Sequence, residues 1–203
     1  MVCVLFARAI RRVHPDIPES IVGSYIANAR PMLQANETFH NCVTRVTLEY
    51  NARLQQFPLT KQCTIFRGKT FAQTHDKIIL PALTVIGSAA QMILDLPNID
   101  MKAQVAENVI ARSNTTLTYT VSYVGKWKLP QLGKHIRGFW VNTTVGGTPI
   151  IQLSAVNRQL FLTIIQPFSE RTYYDALLEE LRDQGIPYTE CGTEPNLAPD
   201  VIM

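Results

Sequence analysis

The strongest constraint on this chain is where its two sequence periods fall. Thr115 to Val124 alternates strictly, with Leu117, Tyr119, Val121 and Tyr123 set against Thr116, Thr118, Thr120 and Ser122. A period of two over that length predicts a strand. Between Leu59 and Ile110 such signals vanish and helical spacing takes over. Lys61 to Asp76 and Asp76 to Leu94 read as helices, the second interrupted at Pro81 and ended by Leu96-Pro97-Asn98, and a further short helix is expected over Met101 to Val109. Strands are thus not regularly interleaved with helices. That argues against a doubly wound or barrel arrangement and for an α+β fold (α and β mixed), a mixed β-sheet flanked by helices.

Before the helical block, Val2 to Val13 places Val2, Leu5, Phe6, Ala9, Ile10 and Val13 on one helical stripe. No Ser, Thr, Asp or Asn precedes it as a cap, so the expectation is that it begins partway through a longer element. Pro15 and Pro18 end it. Ile21 to Ala27 reads as a strand closed by Asn28 and Arg30-Pro31. Cys42 to Tyr50 reads as a second strand, in which the step between Val43 and Val46 predicts a bulge. After the helical block, Ile136 to Asn142 and Thr148 to Val156 are expected strands. The latter forms a hairpin with Leu160 to Gln166 across Asn157-Arg158-Gln159. Ser169 is the expected cap of a last helix, Thr172 to Asp183, which Gly185 stops. The reading gives one domain over residues 1–188 and a poorly ordered tail over 189–203.

Composition narrows the function classes. A formal net charge of +3 is too mild for a nucleic-acid binder. Arg8, Arg11 and Arg12 form the one tight basic cluster and read as a solvated stripe, as do Glu179, Glu180 and Asp183 on the last helix. No apolar run reaches the ~20 residues of a bilayer span, so no membrane span is expected. The arginines follow the apolar start, the reverse of a signal peptide, which makes the cytoplasm the expected compartment and the sequons at Asn36, Asn114 and Asn142 chance matches. Cys3, Cys42, Cys63 and Cys191 have no paired spacing, so neither a zinc site nor a disulfide framework is read.

No constellation carries catalysis. His14, His40, His75 and His135 are scattered, and His75-Asp76 point about 100° apart on a helix. No nucleophile elbow, phosphate loop or dinucleotide fingerprint occurs. Gly146-Gly147 reads as a turn, and Trp127 and Trp140 as core or lid packing. Arg30 stands out: Pro31 biases it to extended backbone at the end of a strand. It reads either as an exposed arginine or as one whose carboxylate partner lies elsewhere.

Three stretches carry a resemblance: VGSYIANARPML, TFHNCVTRVTL, and the run LTYTVSYVGKWKLPQLGKHIRGFW followed by IIQLSAVNRQLFLTIIQPFSERTYYDALLEELRDQGIPY. In this order they resemble the C-terminal lobe of the chloramphenicol-acetyltransferase-like superfamily, and within it condensation-domain-like and alcohol-acetyltransferase-like proteins. The resemblance implies one lobe of a two-lobed transferase, forming a tunnel wall. An acyl-CoA or a phosphopantetheine thioester would be the co-substrate, with no covalently bound cofactor and no metal. It implies a general base on a His-His-x-x-x-Asp motif in the other lobe. This chain has no His-His, so it is expected to be inactive alone and to hold no catalytic residue of its own. The resemblance also implies that Arg30 pairs with the motif's Asp. Asn28, Asn41, Ser122, Tyr123 and Gly125 would line the crossover by the tunnel. Implied partners are the N-terminal catalytic lobe of the same enzyme, an acyl carrier protein, or a second copy through the exposed lobe face. The alternative is a non-catalytic structural or protein-interaction domain built on the same lobe.

Overall fold

Alternating β-branched and aromatic residues on both sides of a helical block build one α+β body. The structure, a computed structural model, describes residues 1–38, 42–114, 116–126, 131, 135–136, 138–143 and 147–192, with the side chains of 110–114 left aside. Elements run α1 (Val2–Val13), β1 (Ile21–Asn28), β2 (Val43–Tyr50), α2 (Ala52–Gln55), α3 (Leu59–Gln73), α4 (Asp76–Leu94), α5 (Ile99–Asn114), β3 (Tyr119–Lys126), β4 (Ile150–Val156), β5 (Gln159–Ile165) and α6 (Thr172–Asp183).

Among the described residues the strands form one mixed sheet in the order β2-β1-β3-β4-β5. The three central strands are parallel and each edge strand is antiparallel to its neighbour. Asn157 and Arg158 both take positive φ, 51° and 65°, which is the turn that matches the twist of a tight hairpin and joins β4 to β5.

The face of the sheet carrying Ile21, Ala27, Val46, Leu48, Tyr50, Tyr119, Val121, Ile151 and Leu153 meets α1 and, behind it, α6. Helix α1 is buried from Cys3 to Ala7 and again at Ala9 to Arg11. Tyr119 is fully buried at its centre, its hydroxyl donating to the Cys3 carbonyl at 2.5 Å and its ring edge-on to Phe6 at 5.2 Å. Gly23, the register partner of Tyr119, has no room for a Cβ because that ring crosses over it. Burial pushes the Tyr119 phenol well above its usual range.

Helix α3 runs along the open edge of β2. Gln73 accepts from the Thr47 amide at 2.9 Å and donates to the Thr47 carbonyl at 2.8 Å, and Lys69 donates to the Glu49 carbonyl at 3.4 Å. These contacts occupy backbone groups that an edge strand otherwise offers to a stranger.

Several expectations need correction. The basic stripe and the acidic face of the last helix meet each other rather than standing apart in solvent: Glu179 and Asp183 stay half exposed, and Glu180 is buried. Glu180 is 2% exposed and accepts from Arg8 Nε at 2.7 Å and from Arg12 at 2.7 Å, while Arg12 also reaches Asp183 at 2.6 Å and Glu179 at 3.1 Å. Arg11 is buried and donates to the carbonyls of Ile17 and Glu19, turning the chain from α1 towards β1. Strand β2 has no bulge: its register with β1 is continuous, because Thr44, 7% exposed, takes the inward position expected of an apolar residue. Helix α4 runs through Pro81, whose missing amide removes only the bond to Lys77 near the helix start. The residue at the head of α6 is Arg171, with no side-chain cap, rather than Ser169. Residues 136 and 138–142 are irregular rather than a strand, and the hairpin turn holds two residues rather than three. Of the expected tail, Glu190 is placed, accepting from the Tyr174 hydroxyl at 2.9 Å.

Candidate functional site

Successive strand residues point to opposite faces, so the residues between the core positions build the second face of the sheet. Across β2, β1, β3 and β4 that face carries Thr47, Ser24, Thr120 and Ile150 in one row and Arg45, Ile26, Ser122 and Gln152 in the next. At the β4–β5 end the Ser154 hydroxyl donates to the Phe139 carbonyl, and Trp140 lies edge-on to Phe161 at 5.1 Å, which places residues 139–140 over the sheet. Towards β2 the face opens to solvent at Arg45, Thr47 and Glu49.

Two pairs of polar groups in the middle of this face are hydrogen-bonded, and one buried acceptor is not. Ser24, fully buried, shares a hydrogen bond with Thr120 at 2.9 Å, and Thr118 Oγ1 accepts from the Val22 amide at 3.1 Å. Gln152, 8% exposed and next to Ser122 in the register, has a buried Oε1 with no hydrogen-bond donor. An amide oxygen left without a donor costs about 1–3 kcal/mol, so its placement asks for a donor from outside the sheet. Beyond Arg45, as far as β4, the row offers a hydroxyl and an amide, which can hold and orient a polar chain, and neither is a base or a nucleophile by itself. Among the described residues, no three His, Cys, Asp or Glu side chains converge as a metal site requires.

The residues singled out from sequence fall in two places. Asn28 ends β1, exposed, and its Oδ1 accepts from the Arg30 amide at 3.1 Å and from the Arg30 guanidinium at 3.4 Å. Arg30 is half-buried and also donates from Nε to the Thr38 carbonyl at 3.3 Å, tying down the loop that follows β1. Asn41 lies outside the described residues, as does Trp127. Ser122 sits on the polar face beside Gln152. Tyr123 points the other way, 40% exposed, on the side of Tyr25. Gly125 has φ +103° where the β3–β4 register shifts, a conformation that favours glycine, and there is open space where a Cβ would stand. The structure therefore brings Asn28 and Arg30 together and separates Ser122 from Tyr123 across the thickness of the sheet.

Gln152 and Ser24 were not read as site residues from the sequence. The signal was there: Gln152 and Ser154 interrupt the apolar run IIQLSAV, and a polar side chain inside a buried strand has to find a partner.

No protein-family model, curated protein or solved structure matches the chain.

Proposed function

We propose that this chain is the C-terminal lobe of a CoA- or carrier-protein-dependent acyltransferase of the condensation type, and that the polar face of its sheet is one wall of the acyl-transfer tunnel. The observation that supports the reading is Gln152: a buried amide with an unsatisfied acceptor, beside Ser122, on a face that also carries Ser24 and Thr120. Such a wall suits an extended arm of amide and thioester groups. The chemistry belongs to the other lobe, whose His-His-x-x-x-Asp motif supplies the general base that takes the acceptor's proton as the acceptor attacks the thioester carbonyl. In this reading Arg30 is a positioning residue: its guanidinium, braced by Asn28, orients the motif's Asp, and Ser122 and Gly125 shape the crossover.

The test is thiol release from acetyl-CoA by the native protein, with and without Arg30→Ala, Arg30→Lys and Gln152→Met. The reading expects transfer by the native protein and none by the 203-residue chain alone. Arg30→Ala should lower kcat, with partial rescue by Arg30→Lys, and Gln152→Met should raise KM. Transfer by the isolated chain, or a native protein without a His-His-x-x-x-Asp lobe, overturns it.

A further inference from the structure

Helix α4 is the least accounted-for element of the fold. From Ile78 to Leu94 it has no charged residue, yet Ile79 is its one buried side chain among those described. Ile78, Val85 and Met92 are 56%, 68% and 72% exposed. Phe71 on α3, Ile86 and Leu94 on α4 and Ile99 on α5 are also more than half exposed, and exposed apolar surface of this kind marks an interaction site.

By length and composition alone, α4 could cross a membrane. Its place in the sheet argues otherwise. β1, before the helical arm, and β3, after it, are adjacent parallel strands, so both ends of the arm belong to one side. A crossing by α4 would need a return crossing by α5, which has 16 residues and carries Asp100, Lys102 and Glu107. Each of those charges would cost about 3 kcal/mol in hydrocarbon. Lying flat on a membrane suits α4 poorly too, because such helices set Lys and Arg along a polar face and α4 has Lys77 alone.

The exposed side of α4 instead has the pattern of a helix seam. Ile78, Ala82, Val85, Ala89 and Met92 follow one another at steps of four, three, four and three, and all are exposed. That is the heptad spacing that packs one helix against another. The size order large-small-large-small-large is the same in both directions, although the spacing is not: Ala82 lies three residues before Val85 and Ala89 four after it. An antiparallel copy centred on Val85 sets Ile78 against the partner's Met92, with Ala82 and the partner's Ala89 one residue out of step and Val85 on the two-fold axis. Lys77 and Asp95 flank the seam at opposite ends on one side of the helix. Antiparallel pairing brings each Lys77 to the partner's Asp95, and it sets the helix dipoles head to tail.

We propose that α4 is a dimerisation arm: two copies of this chain pair antiparallel along Ile78, Ala82, Val85, Ala89 and Met92. The two-fold contact is isologous, as closed dimers require. This inference does not depend on the acyl-transfer reading; either can fail while the other stands.

The experiment is sedimentation velocity of the full 203-residue chain at micromolar concentration, backed by cross-linking. A dimer is expected. Val85→Asp, which sets two carboxylates on the axis, should weaken dimerisation on the order of a hundredfold or more with an unchanged circular dichroism spectrum. Lys77→Glu should weaken it and Lys77→Glu with Asp95→Lys should restore it, a rescue that unspecific apolar sticking would not show. In a Cys191→Ser background, Val85→Cys should form an interchain disulfide on mild oxidation, and Leu80→Cys on another side of the helix should not. A monomeric chain, equal cross-linking at the two positions, no charge-swap rescue, or flotation of the chain as a monomer with phosphatidylcholine vesicles would each overturn the proposal.

Discussion

Removing the carboxylate of Glu180 tests how the layers of this fold are held. Glu180 sits on α6 with its side chain 3% exposed, and it takes a hydrogen bond from Arg8 Nε and another from Arg12, each at 2.7 Å, both from α1. Breaking a buried pair by deleting one partner costs about 3–5 kcal/mol, mostly from the charge left behind. Here the charges left behind are not sealed in: the Arg8 and Arg12 side chains are 25% and 35% exposed, so water reaches both, and Arg12 keeps Glu179 and Asp183. The loss for Glu180→Gln therefore falls to the bottom of that range or just below it, about 2–3 kcal/mol. Glu179, half exposed and bonded to Arg12 at 3.1 Å, is a surface partner by comparison, and Glu179→Gln should cost less than about 0.5 kcal/mol. Urea unfolding at neutral pH, with and without added salt, reads both. The Glu180 loss should persist at high salt, since the carboxylate is out of reach of counterions. If Glu180→Gln and Glu179→Gln shift the midpoint equally, or if salt abolishes the difference, the cluster is a surface feature and the α1–α6 layer is held by its apolar contacts alone.

Three further predictions follow from individual contacts. Burial raises the Cys3 thiol from 9.0 to about 11, so the native state keeps a proton that the unfolded state has lost. Stability should be flat below pH 9 and fall on the order of 2 kcal/mol by pH 11, a slope that Cys3→Ala reduces in pH-resolved thermal melts. Gly23→Ala forces a Cβ into the Tyr119 ring and should destabilise by about 1–3 kcal/mol, and equal melting temperatures would count against the crossed ring. Gln152→Met removes the orphaned acceptor and should stabilise the isolated chain by about 1 kcal/mol; a destabilised variant would mean that the amide already has a donor.

Regular periodicity made much of the fold readable. α1 was legible because its apolar residues recur at helical spacing until Pro15 and Pro18, and β3 because its threonines and aromatics alternate. Where one side chain's role depends on a distant element, the sequence was mute. Thr44 looked polar and so suggested a slipped register, but the pleat buries it. Arg8, Arg12 and Glu180 each looked like surface charges because their partners lie some 170 positions away in the chain, and the pairing exists only once α1 and α6 are laid side by side. Pro81 looked like a helix break because its position relative to the helix start was not known. The resemblance singled out Ser122, Gly125, Asn28 and Arg30, which fall on the polar face or at strand ends, whereas Gln152 stood out only through the sheet that buries it.

The central claim is that this chain is one lobe of a two-lobed acyltransferase. The intact mass of the native protein, read with the coding sequence upstream of Met1, tests it most directly. The account predicts a mass well above that of 203 residues and an upstream lobe carrying His-His-x-x-x-Asp. A native protein that begins at Met1 would contradict it.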